Sequence, residues 1–567
     1  MKNGRLEAPK KVSMAKFKPK TQVDFVVIGA GAAGGVMALE LSRAGFQVVV
    51  LEQGPYLREA DFQYDELKIR ETSALVNDHA VQPNTFRQTE KDKAVLAPAI
   101  SYGRCVGGGT VHYTATHWRH HEIDFVERTR WGPIAGTGFA DWPVNYAELE
   151  PYYTKAEWEV GYSGLGGASP FESPRSKPYP LPPMPNKSSG VLMERAARKL
   201  GLHAVPIPVA ILSQPYRGRS ACIHCGFCEW FGCKVGAKSS SLASLIPAAE
   251  KTGRCEIRPN SYVREISTDK SGKVTGVVYF DSSKKEVFQR AKAVVLCANG
   301  AESPRLLLLS KSSLFPNGLA NSSGAVGKYL MLGGNAGARG LFEYAMNEFK
   351  SVQGTRAIED FYDSDPKRGF YGGGRIDCRW GFMGPIGFAL QGLPPDTPGW
   401  GSDFKKACKE NFNRTLTLLA YCTSLPLETN NITLDPDVKD AWGLAAMRVT
   451  YMDHPDGMKT KKFFVERALE ILDAAGAARK WAQPVTETKS GGHLMGTCRM
   501  GNDPKTSVVD RFNRAHDVPN LFVVDGSSFV TSGRNHPTCT IHALAFRAAD
   551  NIIRMSKNGS IKTSVGA

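Results

Sequence analysis

Three clusters of residue types in this chain could do chemistry that core packing alone does not ask for. The first is Cys222-Ile-His-Cys225-Gly-Phe-Cys228-Glu-Trp-Phe-Gly-Cys233, four thiols within twelve residues. Its C-x-x-C-x-x-C spacing is that of ferredoxin-like loops whose thiolates converge on iron. Four thiolates on zinc, or a metal-free nest of buried cysteines, are the other arrangements it allows. The second cluster runs from Asp24 through Val-Val-Ile-Gly29-Ala-Gly31-Ala32-Ala-Gly34-Gly and resumes at Val-Val-Val-Leu-Glu52. Backbone N–H groups at such a glycine turn, with a helix N-terminus behind them, hold a pyrophosphate, and an acid at the end of the second strand accepts from a ribose hydroxyl. Gly29 permits the turn, Gly31 lets the phosphates approach, and Gly34 lets helix and strand pack closely. The third cluster is Gly103-Arg-Cys-Val-Gly107-Gly108-Gly109-Thr-Val-His112. Three successive glycines let backbone lie flat against something bulky, and a His three residues later points at the same object.

The elements that must position these groups are legible in outline. An apolar strand precedes Gly29, a helix follows it, and a second strand ends at Glu52, so a dinucleotide site opens the chain. Ala293-Val-Val-Leu-Cys-Ala298 reads as a buried strand running into a turn-to-helix junction at Asn299-Gly-Ala-Glu-Ser-Pro304, and Leu521-Phe-Val-Val-Asp525-Gly526 as another buried strand with an acid at its end. The dinucleotide-binding pieces therefore come from at least three separated places. Aromatic-rich, glycine-punctuated segments across 331–455 predict an antiparallel sheet, with helices expected near 186–200, 458–475 and 537–554. Residues 54–99 read as loops and short helices.

Composition bounds the rest. With 567 residues, 42% of them hydrophobic, the chain can fill the cores of two intertwined domains. The net charge of +16 is spread along the sequence apart from a run at 10–20, which reads as a solvated basic surface, and no nucleic-acid partner is expected. No apolar run approaches the roughly 20 residues of a membrane span. The N-terminal arm lacks the apolar stretch and cleavage site of a secretory signal. Of the twelve cysteines, the eight outside the cluster lie mostly in apolar contexts and read as buried thiols.

The ordered set 29–52, 103–112, Gly300-Ala-Glu-Ser-Pro-Arg-Leu-Leu307, His493-Leu-Met-Gly-Thr-Cys-Arg-Met-Gly501 and Asp525-Gly526-Ser527 resembles the glucose-methanol-choline flavoprotein oxidoreductases over nearly the whole chain. Within that family it is similar to the bacterial gluconate, fructose and glucoside-type dehydrogenase large subunits. The resemblance implies an α/β fold with a doubly wound Rossmann-type FAD-binding domain and a second substrate domain built on an antiparallel sheet. The FAD domain is expected to be discontinuous, 23–145, 230–330 and 485–560, with the substrate domain and cysteine loop in 146–229 and 331–484 and a flexible basic arm at 1–22. The cofactor would be FAD, touched by Gly29, Gly31, Ala32, Gly34, Glu52, Gly108, Gly109, His112, Val263, Asp525 and Gly526.

The implied reaction oxidises an alcohol group of a sugar, sugar acid or polyol, with a base for the hydroxyl proton and hydride transfer to flavin N5. Histidine has the basicity for that task. His493 is expected as base and His536 as the group that orients the alcohol, in a chain whose Asn535 stands one place before the position where relatives often carry Asn. His112 is a candidate covalent attachment residue, a hydrogen-bonding His being the alternative. The resemblance would pick Cys222, Cys228 and Cys233 for an iron–sulfur cluster, with Cys225 additional. It further implies a small escort subunit, a cytochrome c or quinone acceptor, and either a cytoplasmic location or export to the periplasm with a partner that carries the signal. An oxidase releasing peroxide and a flavin electron-transfer subunit with no alcohol of its own are the competing functions.

Overall fold

The computed structural model describes residues 16–380 and 384–563. The expected basic arm falls outside the described residues as far as residue 15. From Phe17 onward it is held, the Phe17 N–H donating to the Glu256 carboxylate at 2.7 Å and its carbonyl accepting from Arg258.

A seven-stranded sheet draws together the separated apolar runs. Val23–Ile28 pairs in parallel with Val48–Leu51 on one side and Glu286–Leu296 on the other, Val48–Leu51 pairs with Cys255–Arg258, and Leu521–Val523 joins the far side of Glu286–Leu296. Sequence explains the junction inside Glu286–Leu296. Its first residues alternate in exposure and pair antiparallel with Val274–Phe280, whereas Ala291 to Leu296 are almost wholly apolar and enter the parallel part, where both faces are covered. The one acid in the first strand, Asp24, is buried but satisfied, accepting from Lys292 at 3.0 Å and from the Gln47 N–H at 2.9 Å.

The helix Ala32–Arg43 begins on Gly31, and no side chain caps it. Its glycines are demanded by contact. A Cβ on Gly34 would stand 1.9 Å from the Gly29 carbonyl oxygen, and one on Gly29, at φ +94°, would stand 2.5 Å from the Cys297 carbonyl oxygen.

A six-stranded antiparallel sheet runs Arg479–Ala482, Gly334–Leu341, Thr415–Cys422, Gly374–Arg379, Gly354–Ile358, Ala204–Pro206. One face, with Ala336, Ala338, Ile376, Cys378, Leu416, Leu418 and Ala420, packs on the helices Ser188–Leu200 and Pro455–Ala475 as a continuous apolar core. The alternate positions point to the other face. A four-stranded sheet joins Asn431–Lys439 and Ala445–Thr450 to Asn84–Arg87 and Val95–Leu96. Those last two strands lie where the sequence suggests loops, because four residues without alternation carry no strand signal until a partner some 360 positions away supplies the ladder. Among the described residues no helix is long and apolar enough to cross a membrane.

Gly34→Ala is expected to destabilise the protein by at least about 1–3 kcal/mol and to strip flavin from it, since the methyl can only be accommodated by separating helix from turn. Gly457→Ala, on an open position of the helix Pro455–Ala475 with nothing within 4 Å, should be neutral or stabilising by about 0.5–1 kcal/mol. Thermal melts and the flavin-to-protein absorbance ratio check both.

Candidate active site

Between the parallel sheet and the antiparallel sheet lies one cavity of about 880 Å³. Every predicted cofactor contact except Gly34 lines it: Gly29, Gly31, Ala32, Glu52, Gly108, Gly109, His112, Val263, Asp525 and Gly526. Gly34 sits behind the turn, where its role is the close packing just described. His493 and His536 line the same cavity.

The cradle end is built from backbone. The uncapped N-terminus of Ala32–Arg43 opens into the cavity beside Gly29 and Gly31, and Gly108, at φ +53°, passes so near that its Cβ would stand 2.8 Å from the Gly31 Cα. Backbone N–H groups and a helix dipole without a side-chain partner suit a pyrophosphate. Glu52 is aimed by its neighbours, one carboxylate oxygen accepting from the Ala30 N–H at 3.0 Å and the other from the Gly54 N–H at 2.9 Å. Burial pushes its pKa up to about 7 against the pull of those two bonds. Asp525 lines the cavity and is also part of the scaffold. Its carboxylate accepts from the Asn299 N–H at 3.0 Å, the Ser303 hydroxyl at 2.6 Å and the Ser527 N–H at 2.8 Å, so it ties the strand end Leu521–Val523 to the helix Asn299–Leu309 and meets the cavity mainly as scaffold.

At the other end the rings of His493 and His536 stand 5.5 Å apart at 73°. The ring of Tyr421 lies 4.0 Å from His536 and 6.2 Å from His493. Burial lowers the pKa of His493 to about 4 and that of His536 further, with the Arg375 cation adding to both, so each imidazole is neutral. Asn535 faces away, its amide donating to the Arg119 carbonyl and the Tyr362 hydroxyl, both at 3.0 Å. The cavity wall between is the polar face of the antiparallel sheet, with Asn335, Arg339, Thr417, Tyr421 and Arg379.

Sequence reasoning missed this wall and the buried Arg375 and Asp377 behind it. The strand Gly374–Arg379 concealed it, because Arg, Asp and Arg alternating with Ile and Cys is a pattern that ordinarily marks a solvent-facing side.

His112 borders the cavity with its Nε2 buried and without a hydrogen-bond partner, and burial pushes its pKa down to about 4. Its ring stacks on Trp230 at 5.8 Å and 19°, and its carbonyl accepts from the Trp230 N–H at 2.6 Å.

The structure gives the expected metal site no support. Cys222, Cys225 and Cys233 are near enough to Cys228 to raise its pKa, yet among the described residues no three His, Cys, Asp or Glu side chains stand as a group that could hold a metal ion. None of the four cysteines lines the cavity. The loop is instead fastened by the buried Lys238, whose ammonium donates to the carbonyls of Cys228, Phe231 and Tyr113, and by the Glu229–Arg379 ion pair at 2.6 Å.

Two family models described as GMC oxidoreductase match residues 23–332 and 426–545. The chain belongs to the GMC oxidoreductases. Its FAD-binding Rossmann-type domain and antiparallel substrate sheet are those of the family, and it is an FAD-dependent oxidoreductase of CH–OH groups. It is similar to the 2-methyl-1,2-propanediol dehydrogenase of Mycolicibacterium austroafricanum, 37% identical with 94% of this chain and 95% of that one covered. The fructose dehydrogenase large subunit of Gluconobacter japonicus is 31% identical, with 94% and 98% covered. Pyridoxine 4-oxidase from Mesorbium loti shares the fold at a TM-score of 0.65 and 18% identity, with 94% and 99% covered.

Glu52→Gln puts an amide NH2 against one of two N–H donors, a cost of about 1–3 kcal/mol, so the Kd for FAD should rise roughly 5- to 100-fold in a fluorescence titration of the apoprotein. In the unsubstituted apoprotein, FAD should bind more tightly as pH rises through about 7, where Glu52 ionises and becomes a full acceptor. Equal affinities on both counts would remove Glu52 from the cofactor site.

Proposed function

We propose that this GMC oxidoreductase is a dehydrogenase that oxidises an alcohol group of a sugar, sugar acid or polyol to a carbonyl. The observation that carries the reading is the pair His493 and His536, two neutral imidazoles 5.5 Å apart in the cavity that also holds the glycine cradle and Glu52. Bound FAD would supply the two-electron acceptor for the hydride on the carbinol carbon. Gly29, Gly31, Ala32 and the uncapped helix N-terminus would hold its pyrophosphate and Glu52 a ribose hydroxyl, with Gly108, Gly109, His112, Val263, Asp525 and Gly526 around the remainder. His493 takes the hydroxyl proton. Its low pKa keeps it in the accepting form, and negative charge growing on the substrate oxygen favours the imidazolium as the proton moves. His536 holds that oxygen, so the carbon–hydrogen bond stays in one orientation while it breaks. A substrate rich in hydroxyls finds partners in Asn335, Thr417, Gln391 and Gln483 along the cavity wall.

Electrons leave to an external acceptor, a cytochrome c or a quinone, and a small escort subunit belongs to the same reading. The support for partners is the name "large subunit" borne by the fructose dehydrogenase relative. Covalent attachment of the flavin through His112 is supported by the unpartnered Nε2 at the cavity.

An anaerobic panel of 2-methyl-1,2-propanediol, fructose, gluconate and related polyols should contain a compound that bleaches the flavin, with little oxygen uptake when turnover is run in air. Rapid oxygen uptake with peroxide release would make the enzyme an oxidase, and bleaching by none would leave an electron-transfer protein. His493→Ala should bind FAD normally and slow flavin reduction by about 10²- to 10⁴-fold; an unimpaired rate would refute its role. Acid precipitation should carry yellow flavin down with the protein and release it from His112→Ala, whereas flavin freed intact from the unsubstituted protein would end the covalent assignment.

A further inference from the structure

We propose that Arg375 is the positioning residue that divides the work between the two histidines, fixing His536 as the neutral Nε2–H tautomer that donates to the substrate oxygen and leaving His493 as the proton acceptor. The inference rests on the alcohol-oxidising reading and assigns roles within it. A guanidinium has donors only. One of its terminal nitrogens lies 3.1 Å from His536 Nδ1, so Nδ1 accepts and the ring proton sits on Nε2. Arg375 is fully buried and does not border the cavity, which places the His536 lone pair behind the wall and out of reach of a substrate hydroxyl.

The guanidinium cannot turn away. Asp377 holds it at 2.7 and 3.4 Å, Asn535 Oδ1 accepts from its other terminal nitrogen, and its Cζ lies 4.4 Å from the centroid of the Trp118 ring and 5.6 Å from that of Tyr421. This gives Asn535 a purpose that its position outside the cavity otherwise lacks. Among the described residues no arginine or lysine donates to His493, so its ring keeps a lone pair available. The charged and titratable groups facing His536 are Arg375 and Arg379 from one strand, Tyr421 from the next, His493, and His117. Asp377 and Glu229 offset the two arginines. A second proton on His536 is opposed by the adjacent cation as well as by burial, so the donor tautomer persists across the working pH range.

The direct test is nitrogen NMR of the FAD-loaded protein labelled with ¹⁵N-histidine, with His536 assigned by His536→Asn. The spectrum should show an unprotonated Nδ1 and a protonated Nε2 from pH 6 to 9; a protonated Nδ1 would overturn the proposal. The measurement needs no substrate, so it stands or falls apart from the alcohol-oxidising reading, which the bleaching panel decides. The functional test compares Arg375→Lys with the charge-matched pair Arg375→Met with Asp377→Asn, which avoids a stranded buried carboxylate. Using whichever of 2-methyl-1,2-propanediol, fructose or gluconate reduces the unsubstituted enzyme, the paired variant should lose about 10- to 100-fold in flavin reduction. Its acid limb should move up by about one pH unit, because a cation beside both imidazoles is gone. Arg375→Lys, which keeps the cation and one donor, should restore the limb and part of the rate. An unchanged limb in the paired variant, with an unchanged His536 spectrum, would refute the assignment; if that variant does not fold, the spectrum of Arg375→Lys decides.

Discussion

The site depends on backbone lying directly on backbone. Gly29 meets the Cys297 carbonyl, Gly34 meets Gly29, and Gly108 meets Gly31, while a Cβ on Gly300 would stand 2.2 Å from the Leu494 carbonyl oxygen. Segments that begin the chain, cross its middle and close it are thereby brought to one seam. His493 precedes Leu494 directly, so the base is placed by the same contacts that make the cofactor cradle. Side chains at these positions would force the segments apart and spoil the cradle and the histidine pair together.

Opposite the seam stands a sheet face that is polar and yet buried. Arg375 with Asp377 and Arg379 with Glu229 are largely withdrawn from water on it, as is Lys461 with Asp453 at 2.7 Å, a pair from outside the sheet whose lysine borders the same cavity. Such pairs add little net stability, but removing one partner strands a charge at a cost of about 3–5 kcal/mol. The penalty makes each arrangement close to all-or-none. That stiffness serves a reaction in which an imidazole, an oxygen and a carbon–hydrogen bond must be aligned before any proton or hydride moves.

What could be read from the sequence follows from how local the signals are. The glycine turn with its flanking strands, the glycine run before His112 and the apolar runs ending at Leu296 and Val523 are local patterns with local causes, and the structure has each where it was expected. The expected helix near 458–475 forms as Pro455–Ala475, started by a proline and the His454 cap and stopped by Gly476. Arg375 was illegible because a charged residue alternating with apolar ones signals solvent, and only the pairing with Thr415–Cys422 and the cover of the loop holding His536 turn that face inward. Asp525 lies where it was expected, but sequence shows only the acid at a strand end and not the three donors that also fasten it. The cysteine spacing allows a metal loop or a nest of buried thiols, and the fold brings Cys222, Cys225 and Cys233 close enough to Cys228 to raise its pKa.

The same loop has a mechanical role that holds without any metal. Trp230 lies on the ring of His112 and donates to its carbonyl, Glu229 grips Arg379 on the substrate sheet, and Lys238 gathers the carbonyls of Tyr113, Cys228 and Phe231. Tyr113 follows His112 directly, so the loop is fastened both to the wall that faces the cofactor and to the wall that faces the substrate. Burial lowers the pKa of Lys238 to about 8, against the pull of the neighbouring Cys228, Cys233 and Cys225 thiols and Glu229. Trp230 reaches His112 in a left-handed conformation at φ +70°, a posture a bulky residue holds only where its surroundings enforce it. The contact helps bury the Nε2 of His112 at the cavity, so the loop shapes the wall that faces the cofactor.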